Sequence, residues 1–450
     1  MPAGTGILSG MQAETRNVWM RSANRGNGNN VANVNSTGNC NNNNAVNGYR
    51  VAPDRASDER KGWHAVQRTR NIGTRSLHPA GATREQGGGD GIVPRDGMPT
   101  SAPGYSPCVE SVIGYDALWD SMMKCRCGVM WKGSAASFVL NGAESVSKLC
   151  DELHDGTYRP RPVSHFTVTS PKRREIVGIS FRDRVYQRSL NDNAVYPVMS
   201  RSWIYDNYAC QTGKGTDFAR ARLKCFYERF YREHGSDGWV LSADVKGYYP
   251  NMRHAAAEEM FERALPQWAF GMVLGVLRSQ YPGDVGYNPG SQIVQIAGVS
   301  MLSGVDHHCK ERLGCRHYGR YMDDFRVVHH DRAFLEDVRD ELAVEVGKLG
   351  YELHPTKTRI SRLSDRNRFL GFDFRLARSG KVVMTLAPES VKRMRRRTSG
   401  LWKLESMGAR PPGTCDIAYE SWRAHASKGD SRLLLERCDG WFADMKEETR

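Results

Sequence analysis

Arg320-Tyr321-Met322-Asp323-Asp324-Phe325 lies between two short runs, residues 315–321 and 325–330, that read as strands. Adjacent carboxylates repel each other and favour no regular element. They make sense at the tip of a β-hairpin if a cation, Mg²⁺ foremost, lies between them. Alone, the pair fits an ordinary solvated Asp-Asp turn equally well, so the remainder of the chain has to decide between the two.

Working outward, the nearest partner is Trp239-Val240-Leu241-Ser242-Ala243-Asp244, a short apolar run that ends on an acid and reads as a buried strand. If this strand neighbours the hairpin, Asp244, Asp323 and Asp324 converge at one edge of a sheet. Three such carboxylates can hold two divalent ions roughly 4 Å apart, one activating an attacking hydroxyl and one steadying a leaving pyrophosphate. Mg²⁺ suits an all-oxygen site that shares ligands with phosphates.

The chain has 450 residues, room for two or three domains and a sizeable core. It carries 64 Lys and Arg against 50 Asp and Glu, and this net charge of +14 suits a polyanionic partner, nucleic acid first. The 11 cysteines include no Cys-x-x-Cys pair, which predicts reduced thiols rather than disulfides or a zinc site. No apolar run approaches a membrane span and the N-terminus lacks a signal pattern. The expectation is a cytoplasmic protein without a membrane partner.

Residues 1–105 read as a low-complexity, disordered tail and linker, with 13 asparagines between positions 17 and 47. Helices are expected at 115–123, 143–153, from 181 onward, and at 217–232, 254–265, 268–279 and 332–349. One long helix is expected over 291–313, stopped by Gly314. Strands are expected at 165–169, 351–353, 369–374 and 382–385, and residues 388–450 read as helices carrying the basic run Lys392, Arg393, Arg395, Arg396, Arg397. His307-His308 and His329-His330 read as ordinary polar pairs with no third ligand type nearby. Gly213-Lys214-Gly215-Thr216 lacks the spacing of a phosphate-binding loop.

Asp244-x-x-x-Tyr248-Tyr249 followed by Tyr321-Met322-Asp323-Asp324 resembles two sequence blocks of reverse transcriptases. Further blocks fall in that family's order: 174–187, ending in Arg182-Asp183-Arg184-Val185-Tyr186-Gln187; Leu353-His354-Pro355-x-Lys357-Thr358; and Phe369-Leu370-Gly371-Phe372, similar to a primer-grip strand. The resemblance covers about residues 110–450. It implies an α+β right-hand polymerase: an N-terminal extension and fingers (106–236), a palm of antiparallel sheet packed on helices (237–387) and a helical thumb (388–450).

The resemblance also implies roles. Asp244, Asp323 and Asp324 would be catalytic ligands of two Mg²⁺ ions. Tyr249 would crowd a ribose 2′-hydroxyl and favour dNTPs. Lys172 and Arg174 would grip the triphosphate, where a guanidinium fork suits phosphate. Lys357 would neutralise or protonate leaving pyrophosphate. Arg182, Arg184 and Arg188 would touch template phosphates or brace the fingers, and Lys392 and Arg393 would follow the backbone of template and primer. The implied partners are template RNA, primer and dNTPs.

Pro289-Gly290-Ser291-Gln292-Ile293-Val294-Gln295 occupies the place of a third block, motif B, with Pro289, Gly290 and Gln295 as its markers. Group II intron enzymes carry Pro-Gln-Gly there. Diversity-generating retroelement enzymes carry an aliphatic residue and then Gly-x-x-x-Ser-Gln. Gly290 and Gln295 match the second pattern, whereas Pro289 and Val294 depart from it. Residues 181–187, 205–216 and Tyr419-Glu420-Ser421-Trp422-Arg423 also look like that subgroup. It implies error-prone copying of a template repeat, a small basic accessory protein, and a bacterial or phage origin. The Asn-rich segment resembles a translated template repeat, because Asn codons are rich in the adenines at which such mutagenesis acts. A group II intron-like or retron-type enzyme, or a catalytically idle RNA-binding protein on the same scaffold, are the alternatives.

Overall fold

The computed structural model describes residues 107–169, 173–288 and 290–447. The Asn-rich tail and linker, Lys172 and Pro289 lie outside the described residues. Within them, helices are combined with three sheets whose strand pairs are all antiparallel, an α+β architecture. Among the described residues no helix is long and apolar enough to cross a membrane.

Three sheets form. Strands β1 (Ser164–Val168) and β2 (Arg174–Gly178) pair as a hairpin. The central sheet joins β3 (Trp239–Asp244), β4 (His317–Tyr321), β5 (Asp324–His329) and β6 (Arg359–Arg362) in the order β4-β5-β3-β6, every pair antiparallel. The third sheet is β7 (Asn367–Phe369), β8 (Phe372–Leu376) and β9 (Val382–Leu386).

The largely apolar run of β3 follows from burial on both faces. Leu241 and Ala243 pack with Phe325 and Val327 into the main core, while Val240 and Val328 join Phe226, Tyr227 and Phe230 of the Thr216–His234 helix in a second core. Burying each such aliphatic or aromatic side chain stabilises the fold by roughly 1.5–3 kcal/mol. The Arg332–Lys348 helix supports one face through Leu335, Val338, Leu342 and Val346, at the three- and four-residue steps read from the sequence. Asp331 caps it by accepting from the Ala333 N–H, and Gly350 leaves it at φ +83°.

Three expectations need correction. The helix expected over 291–313 is divided into Gln292–Ser300, Ser303–His307 and a π-helical turn, His308–Arg312. The break at Met301-Leu302 frees the Val299 carbonyl, which accepts instead from the Arg320 guanidinium at 2.9 Å. The strand expected at 369–374 is a hairpin, turned by Leu370 (φ +45°) and Gly371 (φ +88°), which is the sense that matches strand twist. The strand expected at 351–353 is an isolated bridge between Val245 and Leu353. β6 went unread because Arg-Ile-Ser-Arg carries no apolar run.

Candidate active site

Asp244 and Asp324 are directly paired across β3 and β5, and Asp323 occupies the two-residue turn between β4 and β5. Met322 begins that turn at φ +55°, a conformation that costs a non-glycine residue of order 1–3 kcal/mol unless its surroundings hold it. Three contacts do so. The Val245 N–H donates to the Asp323 carbonyl (3.1 Å), the Arg320 Nη1 donates to the Met322 carbonyl (2.7 Å), and the Tyr249 hydroxyl donates to Met322 Sδ (3.7 Å).

Arg320 is fully buried, and no sequence pattern pointed to it. Its Nε and Nη2 fork onto Asp306 at 2.7 and 2.6 Å, and Asp306 also accepts from the Tyr318 hydroxyl at 2.6 Å. A buried cation is tolerated only when paired and hydrogen-bonded, and this one is anchored on the helical segment before the hairpin. The Met322-Asp323 turn therefore has its Met322 carbonyl held by a buried, anchored side chain.

The acids crowd one another. Burial first, and the Asp244 charge second, push the Asp323 carboxyl up, while Lys357 and Arg174 oppose the shift. Burial pushes Asp324 up to about 6 from an ordinary 3.8, against the pull of Arg326 and with the charges of Asp323 and Asp244 adding to it. An all-oxygen donor set that carries excess negative charge at one sheet edge fits Mg²⁺. The chain supplies two cations of its own here: Lys357 Nζ lies 2.5 Å from Asp244 Oδ1, and Arg326 is paired with Asp324.

A pH dependence follows from Asp324. Its proton is held more tightly in the folded chain than in the unfolded one, so the stability from protonation is present below 3.8 and lost as pH rises through about 6. Cations that bind the ionised acids offset that loss. Mg²⁺ is expected to raise the Tm more at pH 7.5 than at pH 5, as read by thermal unfolding at both values; an equal rise would contradict it.

The other expected site residues are placed as follows. Arg174 opens β2, exposed, and its charge reaches Asp323. Tyr249 is half-buried against the Gln292–Ser300 helix, where a Cβ on Gly298 would come within 2.5 Å of its hydroxyl. Gly290 passes so close to β2 that a Cβ would collide with the Val177 carbonyl. Ser291 caps the following helix and donates to Gln187 Oε1 (2.8 Å), joining that helix to the Phe181–Leu190 helix. The Gln295 Oε1 is buried and accepts no hydrogen bond.

Of Arg182, Arg184 and Arg188, Arg182 is buried, ion-paired with Glu152 and Asp183, and lies 4.7 Å from the Tyr158 ring. Arg188 donates to Asp192 at 2.5 Å, and Arg184 is half-buried. Lys392 and Arg393 are exposed on the Pro388–Ser406 helix. His308 does have carboxylate neighbours, contrary to the sequence reading, with Glu341 at 3.4 Å and Glu345 at 3.7 Å, although Lys348 is paired with Glu345. Lys214 donates to the Tyr205 and Asn207 carbonyls, which stitches its loop shut.

Residues 169–374 match the model of the family described as reverse transcriptase (RNA-dependent DNA polymerase). No curated protein matches the sequence. Among solved structures, similarity is found to telomerase from Candida albicans in complex with a fragment of telomeric RNA, at 12% identity and a TM-score of 0.38, covering 60% of this chain and 55% of that one. Apo telomerase from Candida tropicalis (12% identity, TM-score 0.36, covering 57% and 53%) is similar to the same degree. So is the Sicinivirus 3Dpol RNA-dependent RNA polymerase (14% identity, TM-score 0.33, covering 61% and 64%). The chain thus spans about half the length of the telomerases it matches.

Proposed function

From the premise that residues 169–374 carry a reverse transcriptase domain, we propose that the chain is an RNA-directed DNA polymerase that extends a 3′-hydroxyl with dNTPs. The observation that carries this reading is the register of β3 against β5, which sets Asp244 opposite Asp324 with Asp323 on the adjoining turn. In this reading 106–236 are an N-terminal extension and fingers, 237–387 the palm and 388–450 the thumb.

Asp244, Asp323 and Asp324 would hold two Mg²⁺ ions, which when bound supply a more acidic hydroxyl and charge neutralisation at phosphorus. The chain's own groups do the rest. Arg174 and Lys172 orient the triphosphate. Lys357, 2.5 Å from Asp244, would give a proton to departing pyrophosphate. The Tyr249 ring, whose hydroxyl donates to Met322 Sδ on the turn, would crowd a ribose 2′-hydroxyl. The Phe369-Leu370-Gly371-Phe372 turn supports the primer end, and the exposed Lys392 and Arg393 track the duplex backbone. Replacing Tyr249 by Val is expected to relax discrimination against rNTPs by roughly 10–200-fold, as kcat/KM ratios for matched dNTP and rNTP would show.

Within the family, Gly290 with Gln295 and the thumb segment Tyr419-Glu420-Ser421-Trp422-Arg423 favour the diversity-generating retroelement subgroup. Its template would be a structured RNA, its helper a small basic protein and its setting the cytoplasm of a bacterium. Sequencing cDNA made by the purified chain tests this. Substitutions should concentrate opposite template adenines; errors spread evenly over the four template bases would leave a polymerase of another subgroup.

A further inference from the structure

Arg326 is a cation that the reaction as described does not use. It follows Asp324 by two positions on β5, so the two side chains leave the same face of the strand. Its residue is 6% exposed. Nη1 and Nη2 both donate to the Asp324 carboxylate, the second at 3.3 Å. Nη1 also donates to the Phe325 carbonyl (2.7 Å), and Nη2 to the Arg368 carbonyl (2.8 Å). The guanidinium lies 4.8 Å from the centre of the Phe369 ring.

Arg368 and Phe369 belong to β7, the strand that leads into the Leu370-Gly371 turn. One planar side chain therefore touches an acid of the candidate site and the backbone of the hairpin proposed to support the primer end. The far side of that hairpin is held in the same manner. Arg220, 3% exposed on the Thr216–His234 helix, donates to the Leu370 carbonyl (3.2 Å) and lies 4.8 Å from the Phe372 ring. Arg220 has its own carboxylate, Asp217, and makes no hydrogen bond to Asp324. Leu370 keeps its left-handed backbone (φ +45°) between these two clamps.

Neutralising Asp324 would require only a positive charge, which a lysine supplies. The guanidinium adds a rigid fork: both ends reach Asp324 on β5, and Nη2 also reaches the Arg368 carbonyl on β7. We propose that Arg326 is a positioning residue that locks the Asp324 carboxylate to the β7–β8 hairpin, so that one side chain sets the spacing between the acids and the primer end. This inference rests on the polymerase reading above. It makes metal use and primer engagement respond together to a single substitution, and it separates Arg326 from Arg220, which reaches the hairpin alone.

The test uses the full chain with a DNA primer on an RNA template, in single-turnover incorporation with the active fraction titrated. Four quantities are read: the rate, the dNTP KM, the primer–template Kd and the Mg²⁺ concentration for half-maximal rate. Arg326→Gln should lower the rate by about 10–100-fold, raise both the half-saturating Mg²⁺ and the primer–template Kd several-fold, and leave the dNTP KM within about twofold. Arg326→Lys, which keeps the charge without the fork, should restore the Mg²⁺ dependence but not the primer–template Kd. Arg220→Lys should weaken the primer–template complex with the Mg²⁺ dependence unmoved. If Arg326→Gln and Arg326→Lys lower only the Tm and the active fraction, with all four quantities unchanged in the active molecules, Arg326 is a packing residue and the inference falls. No incorporation by the unaltered chain would remove the polymerase reading itself, and this inference with it.

Discussion

Asp323→Asn is expected to cut Mg²⁺-dependent dNTP incorporation by about 10³-fold or more while leaving a folded chain that still binds RNA. The size follows from losing one of the three carboxylates that would hold the metals, whose stabilisation of transition-state charge would be worth several kcal/mol at about tenfold in rate per 1.4 kcal/mol. The fold survives because the carboxyl is already held uncomfortably: burial and the Asp244 charge push it towards its protonated form. An amide of the same shape removes that repulsion, so the Tm should stay level or rise. RNA binding, carried by the +14 net charge, should remain and should weaken steeply with salt. Single-nucleotide incorporation, thermal unfolding and filter binding on one preparation check all three. Incorporation within tenfold of the unaltered chain would contradict the site.

Arg320→Met is expected to cost about 3–5 kcal/mol of stability, because it leaves Asp306 as an uncompensated charge in the core. Both partners of that pair are 0% exposed. The Val299 and Met322 carbonyls lose their donors in the same step. Denaturant unfolding should show a lower midpoint with little change in slope. Adding Asp306→Leu should recover part of the loss, since a matched apolar pair is tolerated far better than a lone buried charge. A midpoint unchanged by Arg320→Met would refute the claim that this pair fastens the turn. The folded fraction of Arg320→Met should also be slow in incorporation, because the positive-φ Met322 turn no longer has its carbonyl held.

Some of this architecture was readable from spacing and some was not. Asp244 at the end of an apolar run, and Asp323 with Asp324 between two strand-like runs, announce themselves because a buried strand that stops on an acid is a local pattern. The Arg332–Lys348 helix is readable for the same reason: its inward leucines and valines repeat at helical steps. Burial of charge is different. Arg320 and Arg326 look like ordinary polar positions in the sequence, yet they are 0% and 6% exposed. Their partners lie on other elements, and no local periodicity encodes a guanidinium that points inward. The division of the 291–313 segment is equally silent in the sequence, since Met301-Leu302 holds no helix-breaking residue and the Val299 carbonyl accepts from Arg320 of another element. Lys357 is separated from Asp244 by 113 positions, a pairing only the folded sheet can make. The hairpin at Leu370-Gly371 was missed because leucine is a poor marker for a positive φ, and the backbone there is held by Arg220 and Arg326 from outside.

Three carboxylates at one edge of the β4-β5-β3-β6 sheet are proposed to drive RNA-templated DNA synthesis. The most direct measurement is extension of a labelled DNA primer by the full-length chain on an RNA template with Mg²⁺ and dNTPs, run beside Asp244→Asn from the same purification. The account predicts template-directed extension that requires Mg²⁺ and disappears in Asp244→Asn. Extension that persists in Asp244→Asn, or a folded, RNA-binding chain that extends no primer, would contradict it.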